Sequence, residues 1–501
     1  MIPSVVTDFA DHLVIALLLG EASIMGLAAL GCLRQWGFTL AEAGAFAALC
    51  PAMVFSLIFQ VCFLVGHVHF APWLELLLAL AASLLIWRTR NALIRVWRQL
   101  RGWYRAHLLA AGVLSLAGGV LLIKALAAGV ATEGVDFWSA SAATGLNPLN
   151  TAFLRRGAIV FKSWGGGFFG WTAYGAIACA TYALARRYAW QPTAATATMI
   201  VASMPRLVML ATTPGREIVP AAAGLLSLLA LFRALEQPDL KDLALFLVTL
   251  TFGITDDALC LVFPSVVFGM GLFVFMRRHG AATWQEMMRR ANWRLVWAVL
   301  PVVIFSQVWL FGANALQGHA WYGPLPAAPW AYNPDQLGGM AANLLRFLLE
   351  GIDFTQPVED FARAAFGFSP VAALQRLHDG VLTGLLNPSG GGAPFVIDWR
   401  MNVASTGFGP FALLLYFAVL RALWRGPRRL RAVALALWGY LLLVSLIAAW
   451  QPLHAGYLTR FLVCSGFIMA YILPPWRLTR GRRLVCQILG AVLMVYTLVA
   501  A

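Results

Sequence analysis

Residues 242–276 read DLALFLVTLTFGITDDALCLVFPSVVFGMGLFVFM, an apolar run whose one polar break is Thr255-Asp256-Asp257. Basic segments flank it on both sides, Arg233 to Lys241 before and Arg277 to Arg294 after. As a helix rising about 1.5 Å per residue, the run would be about 50 Å long, well beyond a hydrocarbon core of roughly 30 Å. If both flanks lie on one side of a membrane, the chain must go out and return, with the turn at the acids. The first arm is only about 20 Å long. A re-entrant hairpin and two full crossings therefore both fit.

Similar runs recur outward from this stretch to both ends of the chain. Lipid offers no hydrogen-bond partner to an open backbone, so such runs must be helices, and the short alternating strands of a membrane barrel are absent. Of the 501 residues, 61% are hydrophobic and 11% are charged, against roughly a quarter charged in water-soluble domains. Mean hydropathy is +0.77. The pattern predicts an all-α polytopic membrane protein of about 13–14 transmembrane helices. Four parts follow: an N-terminal three-helix segment (1–106), a membrane core (107–312) with a first outer loop at 130–170, a larger loop subdomain (313–407) and C-terminal helices (408–501).

The net charge of +15 does not indicate nucleic acid, because no basic, aromatic-interleaved soluble domain exists to hold it. The arginines sit in short segments between apolar runs: Arg88 to Arg105, Arg186-Arg187, Arg233 to Lys241, Arg277 to Arg294, Arg421 to Arg431 and Arg477 to Arg483. The positive-inside rule puts all of these in the cytoplasm. The N-terminus, MIPSVVTDFADH, is acidic and has no positive n-region, which speaks against a cleaved signal peptide. Seven cysteines lie singly, with no C-x-x-C pair, so neither a disulfide framework nor a zinc site is expected. The scattered histidines form no metal motif, and G-x-S-x-G, kinase and P-loop signatures are missing.

That threading sends several of the scarce acids to the outer face. Glu133 and Asp136 stand in ATEGVDFWSA, Glu217 opens a span in ATTPGREIVP, and Asp256 and Asp257 form the hairpin tip. Carboxylates at a membrane boundary are costly unless paired, hydrated or used. Each taken alone also fits a plain helix cap, Glu217 especially, since the helix dipole stabilises an acid at an N-terminus. Arg155, Arg156 and Lys162 break the positive-inside trend in the same outer loop, and Arg460 begins a late span on that side. Arginine binds phosphate bidentately. Contact with lipid headgroups and snorkelling are the plainer explanations.

The acid just past a span in an outer loop resembles the first-loop Asp of GT-C-fold glycosyltransferases, the superfamily of protein O-mannosyltransferases and aminoarabinose transferases. MIVASMPRLVMLATTPGREIVPAAAGLL (199–226), LFLVTLTFGITDDALCLVFP (245–264), STGFGPFALLLYF (405–417) and AAWQPLHAGYLTRFLV (448–463) resemble later segments of that family in order. The chain departs from the family's pattern at Thr255-Asp256, where Thr-Lys is usual, and at Asp136-Phe137-Trp138, where Asp is usually followed closely by Tyr-His. The resemblance implies a GT-C-like bundle and an inverting transfer of sugar from a polyprenyl-phosphate carrier to a hydroxyl of a lipid, glycan or protein acceptor. It implies Asp136 as the base with Glu133 as its competitor, Glu217 as an orienting acid, and Arg155, Arg156, Lys162 and Arg460 as phosphate contacts. Paired acids are also able to hold a divalent cation. The expected setting is a bacterial inner membrane with the site facing the periplasm. A transporter or flippase of a lipid-linked or anionic substrate, and an O-antigen polymerase or ligase, are the rival readings.

Overall fold

The computed structural model describes residues 2–106, 108–127, 167–212, 217–254, 258–289, 296–316, 333, 335–382, 395–399, 407–450, 455–473 and 480–500. In chain order the α-helices are α1 (Ile2–Gln35), α2 (Leu40–Leu64), α3 (Ala71–Ala106), α4 (Leu108–Ala127), α5 (Phe168–Ala185), α6 (Gln191–Ala202) and α7 (Pro205–Thr212). There follow α8 (Ile218–Glu236), α9 (Leu240–Phe252), α10 (Val262–Arg289), α11 (Val296–Phe305), α12 (Val308–Leu316), α13 (Gln336–Glu350) and α14 (Gln356–Phe366). The last are α15 (Pro370–Arg376), α16 (Phe411–Arg425), α17 (Arg428–Ile447), α18 (Ala455–Ser465), α19 (Met469–Ile472) and α20 (Arg480–Ala500).

Among the described residues six helices are long and apolar enough to cross a membrane, and the pair α6–α7, bent by 65°, makes a seventh if it counts as one span. The bend falls at Ser203-Met204, just before Pro205, whose ring cannot continue the hydrogen-bond ladder of α6. The apolar run at 294–312 is likewise broken, at the positive-φ residue Gln307 between α11 and α12. Helix α3 runs unbroken to Ala106, through the whole basic segment Arg88 to Arg105. Its second half carries arginines among exposed Ile94, Trp97 and Leu100, an amphipathic surface that sustains a helix beyond the hydrocarbon.

The core forms around α8. From Ile218 to Leu235 every residue but Arg233 is buried, as befits a helix that is apolar on all sides. Helices α2, α5, α9, α10 and α18 surround it. Small residues permit the close approach, which in lipid replaces the hydrophobic drive between helices. A Cβ on Gly224 would come within 2.9 Å of the Phe263 ring and 3.3 Å of the Cys464 sulfur.

Side-chain contacts fix the two ends of the bundle. At one, Arg187 and Arg429 both reach Glu236 and Arg34 reaches Gln99, so the arginine-rich connections gather there. At the other, the backbone N–H of Gly167 donates to Ala125 O, Lys124 bonds Leu498 O, and Asn343 donates to Ala448 O.

Candidate functional site

The end opposite the arginines holds a compact polar cluster in apolar surroundings. Arg206, in the first turn of α7, is 4% exposed. Its Nη2 donates to Glu217 Oε2 at 2.7 Å and its Nε to Thr459 Oγ1 at 3.1 Å. Its backbone N–H donates to Gly407 O, and its guanidinium lies 5.6 Å from the Phe408 ring centroid. Glu217 precedes α8 but makes no capping bond with its side chain. The carboxylate turns to Arg206 instead, so the helix-cap reading does not describe it. Gly456 makes this possible, since a Cβ there would sit 2.7 Å from the Glu217 carboxyl carbon.

Glu350, at the end of α13, faces the same pair. Its Oε2 is shut off from solvent and has no hydrogen-bond partner among the described residues. Burial pushes this carboxyl up to about 8, with Glu217 adding to the rise and Arg206 opposing it. At neutral pH it therefore holds a proton. Asp353, three residues on, accepts from the backbone N–H groups of Thr355 (2.8 Å) and Gly409 (3.3 Å). Burial raises it to about 6, against those two hydrogen bonds. It pins the segment 407–409 on which Arg206 leans, and a Cβ on Gly407 would fall 2.0 Å from its Oδ2.

Arg460 points inward. It donates to Gly253 O and Cys260 O, each at 3.4 Å, and to the Cys260 sulfur at 3.1 Å. These contacts tie the end of α9 at Gly253 to Cys260, just before α10. Of the residues singled out in the sequence, Glu217 and Arg460 are thus at this end. Glu133, Asp136, Arg155, Arg156, Lys162, Asp256 and Asp257 lie outside the described residues. Their anchor points are described: a Cβ on Gly167 would meet Ala125 and Thr212 within 3 Å. The flanks of 128–166 and of 213–216 therefore meet beside one another.

Sequence reasoning did not single out Arg206, Glu350 or Asp353. For Arg206 a signal existed, an arginine within the apolar MPRLVML of the outer half-span. Glu350 closes an amphipathic stretch and carries no local mark. Among the described residues no three His, Cys, Asp or Glu side chains gather as a metal site.

The arginine-rich end is built differently. Glu42 accepts from Arg187 Nη2 (2.6 Å) and Arg233 Nη1 (2.9 Å) and closes a capping box with Thr39. Arg233 Nε also bonds Asp242 at 2.9 Å, Arg187 Nε bonds Glu236 at 3.0 Å, and Arg429 approaches Glu236 at 3.4 Å. The Arg233 guanidinium sits 3.6 Å from the Phe38 ring centroid. A cavity of about 1260 Å³ opens beside this network.

Fold and site together define an all-α polytopic membrane protein with a buried acid–arginine cluster at one end and a saturated ion network at the other. No family model, curated protein or solved structure matches the chain.

Proposed function

We propose that the chain is a membrane glycosyltransferase, moving a sugar from a polyprenyl-phosphate carrier to an acceptor hydroxyl on the face opposite its arginine-rich end. By the positive-inside rule that face is extracytoplasmic, the periplasm if the membrane is a bacterial inner one. One observation carries the reading: Arg206, Glu217 and Glu350, whose Oε2 has no partner among the described residues, cluster at the end where the segment holding Asp136 departs and returns. A buried arginine held in place by a partly exposed acid suits a reaction that develops negative charge on a leaving phosphate, because fixed charges act most strongly where water is scarce.

In this scheme the acceptor oxygen attacks the anomeric carbon as the bond from that carbon to the phosphate oxygen breaks. The bonding pair leaves with the lipid phosphate, and Asp136 takes the hydroxyl proton. Arg206 joins Arg155, Arg156 and Lys162 as a source of positive charge, and Glu217 is held in one orientation by Arg206. Arg460 holds Gly253 and Cys260 together through its backbone contacts.

The test is transfer of labelled sugar from a polyprenyl-phosphate donor by purified protein in nanodiscs. Asp136→Asn, with Glu133 intact, should lower the rate by at least about 10²-fold, the usual worth of a general base. Full activity in that variant moves the base elsewhere. Movement of the intact lipid-linked sugar between leaflets with no cleavage would replace the enzyme with a carrier.

A further inference from the structure

The cavity at the arginine-rich end belongs to no step of the proposed transfer, and its shape is specific. Its wall on α5 includes Trp171, Tyr174, Gly175, Ala178 and Tyr182, on one side of that helix, and continues to Arg186 just past its end. From Trp171 to Arg186 this face is about 22 Å long at 1.5 Å per residue. Half of a bilayer of roughly 40–45 Å, headgroups included, is about 21 Å. The slot is thus long enough to take the acyl chain of one lipid. At about 1260 Å³ it also exceeds the roughly 300–1,000 Å³ typical of small-molecule pockets.

Glycine keeps the slot open. A Cβ on Gly118 or Gly175, both in its wall, would meet no atom within 4 Å. Neither glycine is required by helix packing, and neither has a positive φ. Polarity changes along the slot. The deep wall is Leu114, Gly118, Trp171 and Ala178, whereas the mouth carries Gln99, Gln191, Gln237 and the arginines. At the mouth Trp103 donates to the Tyr182 hydroxyl at 3.2 Å, an aromatic pair of the kind found at headgroup level.

Charge at the mouth selects the head. Arg187, Arg233 and Arg429 are matched by Glu42, Glu236 and Asp242. Arg186 stands outside this balance. It is exposed, and its guanidinium bonds only Ala189 O, at 2.7 Å, among the described residues. A long apolar trough ending in an unmatched arginine fits an amphiphile with a hydrocarbon tail and a phosphate head.

We infer that this slot binds one anionic phospholipid from the leaflet on the arginine-rich side, its phosphate at Arg186 and its acyl chains along Gly118 and Gly175. The site is separate from the proposed transfer, so either can fail without the other. The experiment uses the full chain in nanodiscs with a phosphatidylglycerol bearing a photoreactive acyl chain. Crosslinks should map to 114–118 and 171–179, and unlabelled phosphatidylglycerol should compete at least tenfold better than phosphatidylcholine or inorganic phosphate. Gly175→Leu, which fills open space, should cut crosslinking at least tenfold with an unchanged unfolding midpoint. Arg186→Gln should keep the crosslinks but abolish the preference for the anionic head. Crosslinks confined to bilayer-facing residues of α3 would overturn the inference. So would equal labelling of Gly175→Leu in folded protein, or competition by polyprenyl phosphate but not by phosphatidylglycerol.

Discussion

The two ends of the bundle use their buried charges in opposite ways. At the arginine-rich end Glu42, Glu236 and Asp242 each have arginine partners, and Glu42 ties α2 to α8 and to the turn after α5 through Arg233 and Arg187. At the other end Arg206 pairs with Glu217, and a second acid, Glu350, is pushed up by burial and keeps one bare oxygen. A saturated network holds helices in register, because every charge removed from water is met by a partner. A network with an unmet acceptor keeps a group ready for a ligand or a proton. The contrast fits an architectural role for the first end and, on the proposed reading, a chemical one for the second.

Glu42→Ala tests the structural half and should have the largest effect. It leaves Arg187 and Arg233 short of a counter-charge in the buried network, and breaking a buried pair typically costs about 3–5 kcal/mol. Thermal or denaturant unfolding in detergent should show a loss of that size. A variant as stable as wild type would mean that Glu236 and Asp242 suffice alone, and the ends would not differ as argued.

Glu350→Gln tests the other half. Because its carboxyl lies at about 8 when folded against 4.5 ordinarily, the folded state binds the extra proton between those values. Stability from this group is then highest at low pH, falls as pH rises from about 4.5 to about 8, and is flat above. Glutamine removes the slope. The variant should match wild type near pH 5 and exceed it near pH 9 by up to a few kcal/mol, since each tenfold change in proton affinity corresponds to about 1.4 kcal/mol. Unfolding midpoints measured from pH 5 to 9 check this. Parallel curves for the two proteins would show that Glu350 is ionised and satisfied.

This asymmetry was only half legible in the sequence. Helical spans and the clustering of the basic connections follow from apolar length and arginine position, which act locally along the chain. Glu217 and Arg460 stood out as charges at span ends, yet their partners did not. Arg206 meets Thr459 across 253 residues, and Glu42 meets Arg233 across 191. Such pairings depend on which helices adjoin, and apolar periodicity does not encode that. The length of α3 shows a different limit. A hydropathy window ends where arginines begin, but a helix ends only where its backbone bonds do.

The smallest expected effect isolates how much of the saturated end is local. Thr39 starts α2 and shares a capping box with Glu42, but its two halves are unequal. The Thr39 hydroxyl accepts from the Glu42 N–H at 3.4 Å, whereas the Thr39 N–H donates to Glu42 Oε2 at 2.9 Å. Thr39→Ala removes only the longer bond and leaves both arginine pairs of Glu42 intact. Loss of an N-cap side chain costs about 1 kcal/mol, so the variant should fall at or below that figure, with Thr39→Ser restoring it. Unfolding midpoints of the two variants measure the difference. A loss by Thr39→Ala approaching that of Glu42→Ala would mean that the cap, not the long-range arginine pairing, orients the Glu42 carboxylate. The strength of this end would then be set within a single helix turn.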